Sequence, residues 1–592
     1  MAFIQLAAGP LRMVFDPQSG FLRHIKLEDV EVVRAIFVAV RDRNWDTIPF
    51  SLTNHQSSQS TDSFSLQFEA TSLQEEIPFS WQGAITGAGD GTIEYRFTGL
   101  AQGDFQRNRI GLCVLHPIRE CSGQPCVVEH VDGTKTETQF PQLISPDQPF
   151  LNMRAITHAV REDVRARVTL LGETFETEDQ RNWTDASYKT YCTPLRLKFP
   201  VTVAAGTEIN QAVQLTLLTD KTTAISARRS EGGEGQPICR IGVNWNAARL
   251  RPPIGFLYPA DLQIAGSAVG RRLCQLRPDH FRADVHLEQH GWQSKLSDVL
   301  RLANECGASL EMGLFMQSDE KPALHELLAL LKDSTVKLAR VLVFQPGEKV
   351  TPAGLVAPVQ AMVDELGTHI DVVVGTDAYF AELNRGRPEP VPGQPVCYSI
   401  NPQVHAFDNL SLSETLEAQS HSVDSAANLF DSAVSISTVS LRPRFNPNAT
   451  QALELQEELW RAIDPRQPTG FAASWVLGSL ARLATHTKVA SLTYFEAFGP
   501  RGILGADGSD YAMTQVFEHV LASRYLFDVT CDQPLGIVAL AAQDANGQRR
   551  LAIGNLTEIE TVVQYPDVGG NSVVLAVAPE SVMVIPLESK RD

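Results

Sequence analysis

The sequence predicts a multidomain protein of mixed α/β and all-β class, with an N-terminal β-sandwich, a central (β/α)8 barrel of the TIM type and a small C-terminal β-domain. Three observations predict this fold. Short strand-like runs fill roughly the first 225 positions, strand and helix patterns alternate up to about position 525, and strand-like runs return after that. A chain of 592 residues has room for ~3 to 4 domains, or for fewer if one is a large barrel.

The N-terminal domain is predicted to span residues 1–234. Its strand-like runs alternate or mix apolar and polar residues, and turn-forming residues separate them; examples are 64–68, 92–97, 110–115 and 164–171. No amphipathic helix pattern interrupts them. So many short strands favour a two-sheet sandwich. The Gly-rich stretch at 229–237 predicts a linker to the next domain.

The central domain is predicted to span residues 235–526. Between its strand-like runs lie stretches with apolar residues at three- and four-residue spacing, which is typical of helices. Eight strands alternating with helices over just under 300 residues predict a (β/α)8 barrel. The eight candidate strands are 238–243, 280–285, 310–316, 339–344, 370–375, 396–400, 433–439 and 491–499.

The C-terminal domain is predicted to span residues 527–592. Its strand-like runs lie at 536–541, 549–554, 561–565, 572–577 and 582–587. An Asp-Ala-Asn-Gly sequence at 544–547 predicts a hairpin turn between the first two runs. This segment therefore predicts a small β-module after the barrel.

Charge and hydropathy exclude several classes of partner. The formal net charge is −19, whereas nucleic acids and anionic membranes are bound through basic patches. No apolar run approaches the ~18 residues that a membrane-spanning helix needs. The N-terminus has no basic region before a long apolar stretch, so no signal peptide is expected. We expect no nucleic-acid partner and no membrane partner.

The nine cysteines are odd in number and thinly spread. They have no matching pairs or nearby histidine pairs with zinc-site spacing. This usage predicts a reducing cytoplasm, no disulfide framework and no structural metal. The chain also lacks a Walker loop, a GxGxxG sequence after a strand, HExxH and GxSxG. We therefore expect no cofactor and no serine-esterase mechanism.

Glu496 is the strongest candidate for catalysis. Residues 491–499 are typical of a short buried strand, and a Gly-Pro-Arg-Gly turn follows it. If this is the last strand of a parallel barrel, Glu496 lies on the rim that carries chemistry in such barrels. The alternative is a carboxylate that caps the loop or pairs with Arg501.

Other polar residues lie on or follow the candidate strands. The substrate-binding candidates of the barrel are Arg282, Asp284, Asn384, Asn401, His405 and Tyr494. Glu382 follows the fifth strand, three strands from Glu496, and across a narrow rim both carboxylates could face one cavity. Paired carboxylates in unlike environments divide acid and base work. The alternatives are a surface Glu382 paired with Arg385, a core His405, and a structural ion pair between Arg282 and Asp284.

Residues 178–191 form the densest polar and aromatic stretch. It has too few aliphatic residues for a core strand and many aromatics for a loop. We expect a loop over the barrel mouth in which Asn182, Trp183 and Asp185 bind the hydroxyls of a polyol. The alternative is a loop whose Asn182 and Asp185 make their own turn hydrogen bonds.

Four segments, 107–117, 178–191, 375–388 and 401–408, resemble those of bacterial D-apionate lactonases. The resemblance covers essentially the whole chain, and 178–191 is its most specific part. It implies an N-terminal β-domain, a TIM barrel, a C-terminal β-domain, and hydrolysis of D-apionolactone to D-apionate in D-apiose catabolism. The barrel segments also resemble those of retaining glycoside hydrolases with two catalytic glutamates. The roles given to individual residues here are our own inference.

The first functional hypothesis is a cytoplasmic hydrolase of a small, sugar-derived lactone. Glu496 would be the general base for water and Glu382 the acid that protonates the ring oxygen, while His405, Arg282 or Asn384 would stabilise the oxyanion. The second is a retaining glycosidase with Glu382 as acid/base and Glu496 as nucleophile. The third is a carbohydrate-binding protein without catalysis.

Overall fold

The computed structural model describes residues 3–219, 238–264, 267–318, 320–367, 369–449 and 454–587. The predicted linker at 229–237 and the domain boundary at 234 lie outside these residues. The chain divides into two compact units. The first comprises Met1–Arg181, Ala186–Gly233 and Asn448–Ala452, and the second comprises Asn182–Asp185, Glu234–Pro447 and Leu453–Asp592. The predicted boundary between barrel and C-terminal domain therefore falls inside the second unit.

The first unit is built from β-strands, as expected. Its described residues form one hydrogen-bonded network of seventeen strands, and the pairs given by their register are antiparallel. The two-layer sandwich stays a prediction. The strands are β1 (Ile4–Ala8), β2 (Leu11–Asp16), β3 (Phe21–Leu27), β4 (Val30–Asp42), β5 (Phe50–Gln59), β6 (Phe64–Ser72), β7 (Phe79–Gly87), β8 (Ile93–Ala101), β9 (Phe105–Pro117), β10 (Pro125–His130), β11 (Lys135–Gln139), β12 (Phe150–Arg161), β13 (Val164–Leu171), β14 (Phe175–Asp179), β15 (Ser187–Tyr191), β16 (Val201–Val203) and β17 (Glu208–Thr219).

Strict alternation explains why these segments pair as strands. In β6 and β8 every second side chain is buried and those between are mostly exposed. Phe68, Trp81 and Phe97 lie on the buried faces and their rings pack on one another. A period of two residues places one face of each strand in a core. A short helix, α1 (Ile118–Cys121), follows β9.

The middle of the second unit is a closed barrel of eight parallel strands among the described residues. This confirms the predicted TIM barrel. Most of its residues are buried on both faces, as parallel strands covered by helices require. The strands are β19 (Ile254–Leu257), β20 (His280–His286), β21 (Ser309–Phe315), β22 (Leu338–Phe344), β23 (Asp371–Tyr379), β24 (Val396–Ile400), β25 (Val434–Val439) and β26 (Val489–Glu496).

The first barrel strand corrects our expectation. The stretch at 238–243 belongs instead to β18 (Cys239–Leu250), which lies in another sheet. Outward positions of β18 are exposed, whereas all four residues of β19 are buried. The sequence does not indicate β19 as a strand, because β19 is only four residues long and follows two prolines. It closes the barrel by pairing with both β20 and β26.

Helices lie between the barrel strands along the chain, and most of them cover the outside of the barrel. They are α2 (Ser267–Leu276), α3 (Trp292–Cys306), α4 (Lys321–Asp333), α5 (Val356–Asp364), α6 (Phe380–Gly386), α7 (Asn409–Phe430), α8 (Leu455–Arg461), α9 (Gly470–Leu483) and α10 (Thr514–Leu521). The stretches with three- and four-residue apolar spacing at 294–306, 321–331, 413–430 and 471–485 lie in or overlap α3, α4, α7 and α9.

The C-terminal strands pack on the barrel through helix α9. Within the described chain they form a seven-stranded sheet with β18, in the order β31-β30-β18-β27-β28-β29-β32. Helix α9 contacts β28, β29 and β32, and Ser474 donates to the Ser581 carbonyl. The strands are β27 (Ser523–Cys531), β28 (Ile537–Asp544), β29 (Arg549–Asn555), β30 (Thr561–Pro566), β31 (Ser572–Val577) and β32 (Ser581–Leu587).

A disulfide joins Cys274 in α2 to Cys306 at the end of α3. The cysteine usage predicted no disulfide framework, and this one disulfide is a departure from that expectation. The two helices are neighbours outside the barrel, so their packing brings together thiols that the sequence separates widely. In the described part of the chain, no helix is both long and apolar enough to cross a membrane.

Candidate active site

A cavity of about 470 Å³ lies at the carboxyl ends of the barrel strands. This face carries the active site in (β/α)8 barrels, and the volume is typical of sites for small molecules. Helix α8, in the connection between β25 and β26, contributes Leu455 and Leu459 to the wall. Wall residues on the strands themselves include Leu257, Asp284, His286, Phe315, Phe344, Asp377, Thr438 and Glu496.

Glu496 reaches the cavity because β26 is bulged at the residue before it. Tyr494 pairs with Phe256 and Glu496 pairs with Leu257, so Phe495 has no counterpart on β19. Phe495 also has a φ of +38°, which is uncommon for a bulky residue. A bulge changes the alternation of side chains between the two faces of a strand. Phe495 and Glu496 both line the cavity as a result.

The turn after β26 folds back onto the backbone of Glu496. Glu496 donates its N–H to the Arg501 carbonyl at 3.2 Å, and Ile503 donates to the Glu496 carbonyl at 3.0 Å. Gly502 allows this turn, because a Cβ there would lie 2.5 Å from the backbone of Phe498. The Gly-Pro-Arg-Gly sequence thus positions the carboxylate as well as ending the strand.

Only one of the two carboxylate oxygens of Glu496 accepts a hydrogen bond among the described residues. Arg501 donates from Nε to Oε1 at 2.9 Å, whereas Oε2 is buried without a hydrogen-bond partner in the part of the chain that the structure describes. Burial raises the pKa of Glu496 to about 7, against the opposing effect of the Arg501 guanidinium. A carboxylate with this pKa exchanges protons near neutral pH, as a general base or acid must.

Arg501 is itself held in place by further acceptors. It donates from Nη2 to Asp261 at 2.5 Å and from Nη1 to the Leu459 carbonyl at 3.3 Å. The predicted alternative, a Glu496 that pairs with Arg501, therefore describes a real contact. It uses only one of the two carboxylate oxygens, so the pairing and a catalytic role are compatible.

Two arginines and two aspartates form a closed ring at the cavity wall. Arg282 donates to Asp284 at 2.7 Å and to Asp377 at 2.6 Å. Arg444 donates to Asp284 at 3.1 Å and also to Asp377. Burial alone would raise the pKa of Asp284, but Arg282 and Arg444 outweigh it and hold that pKa below its usual value. We call these four residues the charge ring.

Arg282 also connects the charge ring to a polar network inside the barrel. It donates to the Ser437 carbonyl at 2.8 Å, and Ser437 donates to Glu311 at 2.5 Å. Burial would raise the pKa of Glu311, but His280, Arg340 and Arg282 lower it to about 2. Glu311 is fully buried and accepts hydrogen bonds also from Thr493 and Arg340. This network fixes the strands from which the wall residues project.

Most of the other predicted site residues form a separate cluster in the same unit. Asn384 donates to Asn182 at 3.0 Å, and His405 Nδ1 lies 2.6 Å from Asp185. The Trp183 ring packs edge-on against the His405 ring, with 5.2 Å between the ring centroids. The Arg385 guanidinium lies over the Trp183 ring, 5.0 Å from its centroid. None of these side chains lines the cavity.

We expected Glu382 and Glu496 to face one cavity, but only Glu496 lines the cavity described above. Glu382 is 4% exposed, forms an ion pair with Lys349 at 3.1 Å, and is not a wall residue. Lys349 does line the cavity. Glu382 lies in helix α6, directly after β23, and its ion-pair partner Lys349 is the residue that lines the cavity. Arg385, the alternative partner expected for Glu382, lies over the Trp183 ring at 5.0 Å.

Tyr494 and Asn401 also lie away from the cavity wall. The Tyr494 hydroxyl is hydrogen-bonded to Ser479 of α9 at 2.8 Å. Tyr494 faces the helices because it alternates with Thr493, whose hydroxyl donates to Glu311 inside the barrel. Tyr494 is therefore a correction to our substrate-binding candidates. Asn401 is buried, and its side-chain oxygen has no hydrogen-bond partner among the residues described.

Sequence reasoning missed Asp377, Arg444, Thr438 and Lys349. Each follows or ends a barrel strand, which was the signal available for them. Lys349 lies in the loop after β22 and Arg444 in the loop after β25. A pair of alternating arginines, Arg442 and Arg444, directly after β25 was the clearest overlooked pattern.

One group of potential metal ligands occurs in the described residues, outside the cavity. The two thiols of Cys239 and Cys531 and the carboxylate of Asp532 offer ligand atoms within 4.8 Å of one another. They lie in β18 and at the end of β27, in the seven-stranded sheet. None of the three lines the cavity, so this group has no part in the candidate active site.

Two family models match the chain. The model of the D-apionate lactonase N-terminal domain matches residues 2–220, and that of the D-apionate lactonase TIM barrel domain matches residues 254–526. The chain belongs to the D-apionate lactonase family. The barrel match begins at Ile254, the first residue of β19, in agreement with the corrected first strand. The D-apionate lactonase of Brucella anthropi is 31% identical over 532 residues, which are 85% of this chain and 84% of that protein.

Solved structures of glycoside hydrolases show a weaker likeness. The GH51 arabinofuranosidase from Xanthomonas axonopodis pv. citri has a TM-score of 0.41 and 10% identity, over 59% of this chain and 100% of that one. A GH30 endoxylanase from Clostridium papyrosolvens C71 has a TM-score of 0.41 and 9% identity, over 60% and 100%. Scores of this size carry no functional argument.

Proposed function

We propose that this protein hydrolyses a small sugar lactone, D-apionolactone, to the open acid D-apionate, within D-apiose catabolism. Family membership supports lactone hydrolysis. The observation that carries the proposal for the site is Glu496, which lines the cavity with a raised pKa of about 7 and one unpartnered oxygen among the described residues.

Lactone hydrolysis needs an activated water, stabilisation of the tetrahedral oxyanion and a proton for the departing ring oxygen. Glu496 in its ionised form takes the proton from water as the water oxygen bonds to the carbonyl carbon. When the intermediate collapses, the bond between that carbon and the ring oxygen breaks. The protonated Glu496 then gives its proton to the ring oxygen. One carboxylate with a pKa near neutrality performs both transfers.

Glu382 takes a supporting role in this mechanism. Its ion pair with Lys349 holds an ammonium group at the cavity wall. We therefore propose that Glu382 orients Lys349 rather than protonating the ring oxygen itself. The Asp185–His405 and Asn182–Asn384 pairs are proposed to order the neighbouring loops. Hydroxyl binding by these residues stays a prediction, because none of them lines the cavity.

The test compares wild type with Glu496→Gln and Glu382→Gln on sugar lactones and on aryl glycosides in parallel. We expect lactone hydrolysis by wild type, a fall of roughly 100-fold or more in kcat for Glu496→Gln, and a smaller fall for Glu382→Gln. Turnover of glycosides but of no lactone by wild type would overturn the proposal. Glycoside turnover with large and equal losses in both variants would favour the retaining glycosidase.

A further inference from the structure

Three wall residues of the cavity carry a buried polar atom without a hydrogen-bond partner among the described residues. They are Oε2 of Glu496, Nε of Arg444 and Oγ1 of Thr438. Buried polar atoms are nearly always paired in folded proteins. Three exceptions on the wall of one cavity therefore indicate groups that are kept for a ligand.

The three atoms have complementary chemistry. Glu496 Oε2 accepts a hydrogen bond when ionised, Arg444 Nε only donates, and the Thr438 hydroxyl can donate. A water molecule needs an acceptor, and a developing oxyanion needs donors. Arg444 also acts electrostatically on Glu496, which places its charge near the carboxylate.

Arg444 is held rigidly, and its Nε–H group has no hydrogen-bond partner among the described residues. Its two terminal nitrogens donate to Asp284 and Asp377 in the charge ring. Arg282 also donates hydrogen bonds to the same two aspartates and so holds their carboxylates in place. The guanidinium is thereby fixed before any ligand arrives, and a donor that is already oriented stabilises a transition state without reorganisation.

Thr438 is presented by an irregularity like the one at Phe495. Ser437 pairs with Thr493 and Val439 pairs with Tyr494, so Thr438 has no counterpart on β26. Bulges re-aim side chains at the rims of barrels. The neighbouring strands β25 and β26 thus each carry a bulge near the cavity, one presenting Thr438 and the other presenting Glu496.

We propose that Arg444 Nε and Thr438 Oγ1 are the oxyanion donors of this active site, and that they receive the carbonyl oxygen of the lactone. This inference rests on the proposed function. As water attacks the carbonyl carbon and gives its proton to Glu496, the carbonyl electron pair moves onto the carbonyl oxygen, which these two donors would stabilise. It returns when the bond to the ring oxygen breaks and Glu496 releases the proton to that oxygen.

The test uses Arg444→Lys, Thr438→Val and Thr438→Ser with the proposed lactone. Arg444→Lys keeps a positive charge for Asp284 and Asp377 but removes the Nε–H group. We expect kcat to fall about 100- to 1,000-fold with little change in KM. Thr438→Val should lower kcat about 10-fold, the value of one ordinary hydrogen bond, while Thr438→Ser should restore it.

A pH profile separates this role from a structural one. Arg444→Met removes a charge that lowers the pKa of Glu496, so the acid limb of kcat/KM in this variant should move to higher pH. Arg444→Lys keeps the charge and should leave the acid limb where it is in wild type. If an Arg444 variant fails to fold, the Thr438 pair carries the test alone.

Wild-type kcat in both Arg444→Lys and Thr438→Val would overturn the inference, as would a rise in KM at constant kcat. Loss of activity in Glu496→Gln together with full activity in these variants would overturn the inference and leave the proposed function standing. A wild-type protein without activity on any lactone would overturn both.

Discussion

Arg501 donates from Nε to Oε1 of Glu496 at 2.9 Å, and Oε2 of the same carboxylate has no partner in the described chain. Two opposing effects act on Glu496 as a result. Burial favours its neutral form and Arg501 favours its ionised form, and burial prevails. The pKa of about 7 is thus a balance between burial and the guanidinium groups nearby, of which Arg501 has the largest effect.

Replacing Arg501 should shift that balance. In Arg501→Met the opposing positive charge is lost and Asp261 loses its partner, so both changes raise the pKa of Glu496 further. We expect the acid limb of kcat/KM to move up by about one pH unit or more, measured as initial rates from pH 5 to 9. Arg272→Met, which removes a cation paired with Asp510 and Glu518 near the surface, is the control. An unmoved limb in Arg501→Met would contradict this account of Glu496.

The raised pKa of Glu496 also makes stability depend on pH. The folded pKa of about 7 lies above the ordinary glutamate pKa of 4.5, so the folded protein retains a proton that the unfolded chain releases. This contribution to stability is fully present below about pH 4.5 and is lost as pH rises through 7. Glu496→Gln cannot ionise, so it should unfold at a higher temperature than wild type at pH 8 but not at pH 4. Thermal unfolding at both pH values checks this, and a lower unfolding temperature for the variant at pH 8 would count against it.

The charge ring should be important for stability. Asp377→Asn leaves the buried Arg282 and its neighbour Arg444 with one shared carboxylate instead of two. Breaking one partner of a buried ion pair costs ~3–5 kcal/mol. The matched control is Asp298→Asn, which breaks a surface pair with Arg301 and should cost less than ~1 kcal/mol. Equal midpoints of urea unfolding for the two variants would show that the ring contributes little.

Much of the fold was readable from the sequence because periodicity reports on burial. The alternating runs of the N-terminal unit and the strand–helix pattern of seven barrel strands correspond to the observed elements. β19 was missed because four residues after two prolines carry almost no periodic signal. The apolar run at the start of β18 predicts a barrel strand wrongly, because a short apolar run does not show which sheet a strand joins.

The site was predicted only in part, because contacts between distant loops leave no local pattern. Glu496 was found, since a carboxylate at the end of a buried strand is visible in the sequence. Tyr494 was misplaced because it alternates with Thr493, whose hydroxyl donates to Glu311 inside the barrel. The sequence predicts only half of the charge ring, because Arg282 and Asp284 alternate on one strand. Asp377 lies 95 positions from Arg282, and Arg444 lies 160 positions from Asp284.

The most direct test of the central claim is the rate of D-apionolactone hydrolysis by wild type and Glu496→Gln as a function of pH. The control is Glu457→Gln, a surface glutamate of α8 paired with Arg461. The account predicts that kcat/KM of wild type and of the control rises through a single ionisation near pH 7, and that Glu496→Gln loses ~100-fold or more at every pH above it. Wild-type rates in Glu496→Gln would contradict the claim that this carboxylate opens the lactone.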